Sequence, residues 1–177
     1  MKQKLLLHSC CAPCSSAIIE ELHNHFDLTL LYLNPNISGR DEYDKRASEL
    51  IRLVDEMGLD DVAINIQDFH PETFESWAED YKSEPEGGKR CALCFRQRLM
   101  NTAKYAKENG FGYFSTTLTI SPYKDSAMIN SVGKKCGWEN GVMYMPFDFS
   151  YLYIRSLELC EKYNLYQQDY CGCIYSR

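Results

Sequence analysis

The chain has 177 residues, of which 45% are hydrophobic and 25% are charged, and it contains 13 tyrosines and nine cysteines. This length suits one domain, and the apolar content excludes a disordered chain. The net charge of -6 excludes a protein that binds nucleic acids through general basicity, because non-specific affinity depends on Lys and Arg neutralising phosphates. We therefore expect a single globular domain over residues 1–177.

The first residues carry only a short apolar run, Leu5 to Leu7, which is too short for a signal peptide. No apolar run approaches the ~18 residues that a membrane-spanning helix needs. We expect a cytoplasmic protein with no membrane partner. Structural disulfides are rare in that reducing compartment, so closely spaced cysteines there indicate metal binding or redox chemistry.

Strand-like and helix-like segments alternate along the chain. Apolar runs bounded by turn residues predict strands at 5–8, 28–33, 62–66 and 113–115. Helical periodicity predicts helices at 15–26, 41–57, 91–109 and 125–135, and a helical C-terminal segment at 147–163. Residues 70–90 contain two prolines and a Gly-Gly pair, which favours a short helix followed by a mobile loop that could cover a site. The alternation predicts an α/β fold with a doubly wound parallel sheet and flanking helices.

Two groups of cysteines lie where such a fold binds ligands, beyond the carboxyl ends of the strands. The segment HSCCAPCS places Cys10, Cys11 and Cys14 directly after the first predicted strand. Cys10 and Cys11 are adjacent, so they converge only if the chain turns there, which the following Ala-Pro favours. Cys91 and Cys94 are three positions apart, so a helix places both on one face. Four thiolates from these two pairs fit either a tetrahedral zinc ion or an iron–sulfur cluster, and the spacing leaves both open.

The other four cysteines carry weaker signals. Cys136 and Cys160 each stand alone in a predicted helix, which is typical of small buried core residues. Cys171 and Cys173 in YCGC are separated by one glycine. This pair could bind a metal, form a disulfide or be an incidental pair near the chain end.

Four motifs occur in one order along nearly the whole chain: HSCCAPCS, RCALCFRQR, TTLTISPYK and YCGC. Together, from His8 to Cys173, they resemble the QueH family of epoxyqueuosine reductases. The resemblance implies a Rossmann-like sheet similar to that of the adenine nucleotide alpha-hydrolases. It also implies an oxidoreductase of tRNA processing in queuosine biosynthesis, which removes the epoxide oxygen of epoxyqueuosine at the wobble position of GUN anticodons. Cysteines replace the Gly/Ser phosphate loop of that fold group, which argues against the use of ATP.

The same resemblance implies metal cofactors. It assigns a 4Fe-4S cluster to Cys10, Cys11, Cys91 and Cys94. It also implies an additional iron ion beside the cluster, for which Cys14 is the candidate ligand. We treat Cys171 and Cys173 as a redox-active pair near the site, and an electron donor is a required partner.

Removing an epoxide oxygen as water requires two electrons and a proton donor. Tyr123 and Lys124 in SPYK are therefore predicted to be catalytic, with the Cys171 and Cys173 pair. His8, Thr117 and Ser121 are predicted to contact the substrate. His8 could instead orient a neighbouring group at the strand end.

A stretch of positive charge from Lys89 to Lys107 begins just before the predicted helix at 91–109 and continues along it. It comprises Lys89, Arg90, Arg96, Arg98, Lys104 and Lys107. We predict that Arg90, Arg96 and Arg98 bind the phosphates of the tRNA anticodon loop. The alternative is an ordinary solvated helix face.

Two other functions compete with the reductase. One is a zinc-stabilised nucleic-acid-binding module without catalysis, which predicts a colourless protein with bound zinc. The other is a different cluster-dependent tRNA-modifying enzyme, such as a sulfur transferase. That enzyme would need ATP, and the missing phosphate loop counts against it.

Overall fold

A five-stranded parallel sheet in the order β3-β2-β1-β4-β5 forms the centre of the computed structural model, which describes residues 2–176. The strands are β1 (Gln3–Ser9), β2 (Phe26–Tyr32), β3 (Ala63–Ile66), β4 (Tyr113–Thr116) and β5 (Met143–Tyr144). The predicted α/β fold with a parallel sheet is confirmed.

Residues 2–176 form six α-helices, of which five cover the two faces of this sheet. The six helices are α1 (Ala12–Leu22), α2 (Arg40–Glu56), α3 (Glu72–Ala78), α4 (Lys89–Glu108), α5 (Ser126–Asn140) and α6 (Tyr153–Lys162). Helices α1, α2 and α6 pack on one face, and α4 and α5 pack on the other. Within residues 2–176, no helix has both the length and the apolar character needed to cross a membrane.

The central strand β1 contains a continuous apolar run, Leu5 to Leu7, because helices cover both faces of the sheet there. Leu5 and Leu7 belong to the core under α1 and α2, whereas Leu6 belongs to the core under α4 and α5. Successive side chains of a strand point to opposite faces, so the part of a strand that helices cover on both sides favours apolar residues at consecutive positions. All three leucines are completely buried.

Several element boundaries differ from the predicted ones. Helix α1 begins at Ala12 rather than at residue 15, because Pro13 in its first turn is compatible with a helix start. The two-residue strand β5 was missed because it is too short for a visible alternation. Helix α5 extends to Asn140 and ends at Gly141, which has a left-handed φ of 68°. The segment predicted to be helical at 147–163 is helical from residue 150, as a 3₁₀ turn followed by α6.

The strand order places the first and fourth strands side by side. Chain connections run outward in opposite directions from β1 and β4, so the carboxyl ends of these strands form the topological switch point where such folds bind ligands. His8 in β1 lies in register with Thr116 in β4. The cysteine segment that follows β1 and the 3₁₀ turn Thr117–Ile120 that follows β4 therefore meet at this point.

Candidate functional site

Three cysteine sulfurs converge at the carboxyl end of β1. The sulfur atoms of Cys10, Cys11 and Cys14 all lie within 4.8 Å of one another, and those of Cys10 and Cys11 are 3.7 Å apart. Cys11 has an extended backbone and caps α1, so Cys14 in the first turn of the helix returns to its neighbours. The predicted convergence of Cys10 and Cys11 is confirmed. In the part of the chain that the structure describes, this is the one group of three or more Cys, His, Asp or Glu side chains with metal-ligand spacing.

The pKa values of the three thiols are shifted in different directions. Hydrogen bonds from Cys11 and Cys14 hold the pKa of Cys10 well below its usual value, and the positive charges of Arg98 and Lys124 act in the same direction. Cys11 and Cys14 each donate a hydrogen bond to Cys10. This raises the pKa of Cys11 to about 12 and also raises the pKa of Cys14. Cys10 is therefore the thiol of this group that loses its proton most readily, and a cluster of sulfur ligands of this kind attracts a thiophilic cation.

The second cysteine pair lies in the first turns of α4. Cys94 is buried, and burial raises its pKa to about 11. Cys91 is half-buried, and its sulfur accepts a hydrogen bond of 3.3 Å from the main-chain N–H of Gly87. Both cysteines line a small cavity of about 60 Å³, together with Cys171 and Cys173.

Cys10, Cys11 and Cys14 line a larger cavity of about 510 Å³. The two cavities adjoin each other because they share five lining residues: Glu86, Arg98, Tyr123, Lys124 and Cys171. The fold therefore brings the two cysteine groups, 80 positions apart in sequence, to neighbouring cavities without merging them into one group of sulfurs.

Two cations stand between these cavities. Arg98 is buried, donates from Nη2 to Oδ1 of Asn34 over 2.5 Å, and leaves its Nε without a hydrogen-bond partner among residues 2–176. Burial lowers the pKa of Lys124, but Coulombic interactions with the sulfurs of Cys14, Cys10 and Cys171 outweigh it, so the net pKa is raised. The guanidinium and the ammonium both offset the negative charge of nearby thiolates.

The C-terminal pair also reaches this site. Cys171 and Cys173 are free thiols, and the Cys171 sulfur lies 3.1 Å from the hydroxyl oxygen of Ser176. A hydrogen bond from Cys173, with that of Ser176, lowers the pKa of Cys171 to about 5, while the pKa of Cys173 is raised. Gly172 between them has a φ of 103°, a conformation that side chains rarely adopt.

Arg46 of α2 holds this pair in place, and our sequence analysis missed it. The side chain is buried and donates to the main-chain carbonyl oxygens of Cys171 and Tyr170 over 3.3 and 3.4 Å. Its Nε donates to Glu42 over 2.7 Å. The available signal was periodicity, since Arg46 lies on the same helix face as the buried Tyr43 and Leu50.

His8 and Thr117 are completely buried and orient the strand end. The Nε2–H of His8 donates to the carbonyl oxygen of Leu33 over 3.0 Å, which leaves Nδ1 to accept from the hydroxyl of Thr116 over 2.9 Å. Burial lowers the pKa of His8 to about 3, so the ring is neutral. The hydroxyl of Thr117 accepts the N–H of Cys10 over 3.3 Å. Direct substrate contact by His8 and Thr117 stays a prediction.

Ser121, Tyr123 and Lys124 lie along the larger cavity. The Ser121 hydroxyl accepts the N–H of Tyr123 over 3.3 Å, which shapes the turn before α5. Tyr123 is 84% exposed, so its ring stands at the cavity mouth rather than beside the sulfurs.

The cations of α4 do not form one basic surface. Arg90 is buried and donates to the carbonyl oxygens of Tyr81 and Glu84 over 2.9 and 2.8 Å. Arg96 faces α5 and forms a salt bridge with Glu139 over 3.2 Å. Arg98 lies between the cysteine cavities. The expected continuous patch is thus split three ways, and tRNA binding by Arg90, Arg96 and Arg98 stays a prediction.

Comparison with known proteins identifies relatives along the whole chain. Residues 5–177 match the model of the family described as epoxyqueuosine reductase QueH. The chain is 40% identical over 181 residues to an epoxyqueuosine reductase QueH of Streptococcus pyogenes serotype M1, covering 99% of this chain and 71% of that protein. It is 38% identical over 182 residues to one of Staphylococcus epidermidis, covering 99% and 76%. It is 32% identical over 177 residues to one of Thermotoga maritima, covering 97% and 89%.

Proposed function

The chain belongs to the family of epoxyqueuosine reductases QueH, and from this membership we propose that it reduces the epoxide of epoxyqueuosine in the anticodon wobble nucleotide of tRNA. The structural observation that carries the proposal is the convergence of Cys10, Cys11 and Cys14 at the switch point, with Cys91 and Cys94 on the adjoining cavity. An oxidoreductase needs electron-transferring groups at its ligand site, and these thiols lie where the fold binds ligands.

The reaction must balance two electrons and two protons. Both C–O bonds of the epoxide break, a C=C bond forms, and the oxygen leaves as water. Electrons come from a low-potential donor, and protons come from side chains or from solvent. The proposed site would therefore need an electron-transferring group, a proton donor and a binding place for the nucleotide.

The donor set fits an iron–sulfur centre. Sulfur ligands suit clustered iron, and Arg98 and Lys124 offset the negative charge that four thiolates would bring. Cys10, Cys11, Cys91 and Cys94 would hold the 4Fe-4S cluster, and Cys14, within 4.8 Å of two of them, would hold an additional iron ion. When bound, the cluster supplies electrons one at a time.

Lys124 is the proposed proton donor to the departing oxygen. It lines both cavities, and its raised pKa keeps it protonated at neutral pH. Tyr123 at the mouth offers an exposed ring on which a base can stack. Cys171 and Cys173 form the proposed redox pair, because oxidation of two thiols to a disulfide releases the two electrons and two protons that the reaction consumes.

Metal analysis of anaerobically purified protein tests the cofactor. We expect about four or more irons per chain with matching acid-labile sulfide and absorbance near ~400 nm. Cys10→Ala, Cys11→Ala, Cys91→Ala and Cys94→Ala should each lose most of this iron. Cys136→Ala changes a buried cysteine of α5 that lines neither cavity, so this variant is the matched control and should retain the iron. Zinc without sulfide would favour the zinc module instead.

The activity test uses tRNA that carries epoxyqueuosine, with dithionite as the electron source. Wild-type protein should convert the nucleoside to queuosine, detected by mass spectrometry as the loss of one oxygen atom. Lys124→Met should retain iron but convert the nucleoside far more slowly. No conversion by fully loaded wild-type protein would refute the proposed function.

A further inference from the structure

A third cavity lies at the carboxyl ends of β2 and β3, outside the cysteine site. Its volume is about 370 Å³, and it contains no cysteine. Its lining includes the polar residues Asn34, Asp68, Asn101, Lys104 and Tyr105. The proposed reduction does not use this cavity, which we call the side cleft.

The side cleft is separated from the cysteine site by two side chains. Asn34 lines the cleft, and its Nδ2 donates to the main-chain oxygen of Ser9 over 3.0 Å. Its Oδ1 accepts from Nη2 of Arg98 over 2.5 Å. Because Arg98 lines both cysteine cavities, the Asn34 and Arg98 pair is a shared wall. A ligand in the cleft would therefore lie next to the ligand of the cysteine site.

Four polar side chains around the cleft are available for a ligand. Within residues 2–176, no hydrogen bond or salt bridge engages the amide of Asn101, the ammonium of Lys104, the hydroxyl of Tyr105 or the carboxylate of Asp68. Asn101 is half-buried, so its amide is partly shielded from water. The four groups include hydrogen-bond donors, acceptors and an aromatic ring in one cavity.

This combination of groups matches a nucleobase better than an anion or an apolar ligand. Proteins recognise single-stranded RNA by stacking splayed bases on aromatic rings and by hydrogen-bonding their edges. Tyr105 offers a ring, Asn101 can both donate and accept, and Asp68 can accept from a ring N–H or an amino group. An anionic ligand alone would be repelled by the carboxylates of Asp68 and Glu108.

We propose that the side cleft binds a second nucleobase of the same tRNA loop, that of a nucleotide adjacent to the one being reduced. The proposal rests on the proposed function, which brings an RNA loop to the cysteine site. Splaying two neighbouring bases to either side of the Asn34 and Arg98 wall would fix the register of the loop. The cleft would thus contribute to the choice of tRNA.

A double-mutant cycle between protein and RNA tests this inference. The ligand is an anticodon stem-loop with an unmodified wobble nucleotide, either intact or lacking the base on the 5′ or the 3′ side of that nucleotide. One of the two abasic RNAs should bind wild-type protein about tenfold more weakly, the worth of one or two hydrogen bonds. Asn101→Ala should bind the intact RNA about tenfold more weakly, with little further loss for that abasic RNA.

Lys104 and Lys107 provide the matched control, because both are exposed lysines of α4 and only Lys104 lines the cleft. Lys104→Ala should weaken RNA binding several-fold more than Lys107→Ala. If Asn101→Ala and each abasic RNA weaken binding independently, so that their losses of affinity add, the cleft assignment is overturned. This conclusion requires that wild-type protein still converts epoxyqueuosine tRNA. Loss of that conversion in wild-type protein would overturn the proposed function itself, and the cleft assignment with it.

Discussion

Arg46 donates a hydrogen bond of 3.3 Å to the main-chain carbonyl oxygen of Cys171, a residue 125 positions later in the chain. The same guanidinium binds the carbonyl oxygen of Tyr170 and the carboxylate of Glu42, and it is buried. Asn36 adds a further hydrogen bond of 3.3 Å to the Cys171 carbonyl oxygen. Helix α2 and the loop after β2 thus determine where the C-terminal thiol pair lies relative to the cavities.

Replacement of Arg46 should release this pair. Arg46→Gln removes charge-assisted hydrogen bonds that are worth on the order of 2 kcal/mol, so the free energy of unfolding should fall by about that much. Alkylation of Cys171, followed by mass spectrometry, should become several-fold faster. Arg52→Gln is the control, because Arg52 also binds main-chain oxygens of the C-terminal segment, at Tyr163 and Asn164, but is partly exposed. It should leave Cys171 protected, and equal alkylation rates in both variants would contradict the anchoring role.

Gly172→Ala should disturb the Cys171 and Cys173 pair, because Gly172 lies between the two cysteines. The residue has a φ of 103°, and a β-carbon there would lie 2.8 Å from Cγ1 of Ile37. Strain and overlap together should destabilise the protein by roughly 1–3 kcal/mol. Gly39→Ala is the matched control, because Gly39 has a φ of 100° but has open space where the β-carbon would stand. Urea unfolding of both variants separates overlap from backbone strain, and equal destabilisation would exclude the overlap with Ile37.

Local patterns in the sequence were sufficient to predict the parallel sheet, apart from its short strand β5, and the first cysteine group. The leucines of β1 form a continuous apolar run because helices cover both faces of that strand. Cys10, Cys11 and Cys14 converge because a strand end, a turn and a helix start follow one another within five residues. The strand end and the turn were recognisable in the sequence, whereas the helix starts three residues earlier than predicted. Both features depend on neighbours that are close along the chain.

The roles of the arginines could not be predicted in the same way. Arg90, Arg96 and Arg98 are near neighbours in α4, yet one binds a loop, one binds α5 and one faces the cysteines. Their helical spacing points them in different directions, but only the packing of distant elements decides what each one meets. The contact between Arg46 and Cys171 depends likewise on how the C-terminal segment returns across α2.

Removing the charge of Arg98 should reduce the iron content of the protein, whereas removing the charge of Arg96 should not. Arg98→Met leaves Oδ1 of Asn34 without its donor and removes a buried cation from between the cysteine cavities. We expect the variant to lose most of its bound iron. Arg96→Met breaks a partly exposed pair with Glu139, and such pairs contribute about 0–1 kcal/mol. It should keep its iron and unfold at nearly the wild-type urea concentration, whereas iron loss in both variants would indicate a general effect on α4.

Acid should loosen the C-terminal segment through Glu49. One carboxylate oxygen of Glu49 accepts the main-chain N–H of Tyr166 over 2.7 Å, and the neighbouring Arg52 lowers the pKa of this carboxyl below its usual value of 4.5. A carboxyl whose pKa is lower in the folded state stabilises the protein above its unfolded pKa, and that contribution is lost as the pH falls through the folded pKa. Below about pH 4.5, the unfolding free energy of wild-type protein should therefore fall more steeply than that of Glu49→Gln, by at most about 1.4 kcal/mol per pH unit.

The measurement is urea unfolding between pH 3 and pH 7, with variants compared at equal iron content. Glu161→Gln, an exposed glutamate of α6 without a side-chain hydrogen bond or salt bridge within residues 2–176, should follow the wild-type profile. Protonation of Glu49 weakens the contact with Tyr166, which precedes the thiol pair by only five residues. Alkylation of Cys171, whose pKa is lowered to about 5, should therefore also accelerate relative to Glu49→Gln over the same pH range. Parallel stability profiles for wild-type protein and Glu49→Gln would show that the carboxylate does not fasten this segment.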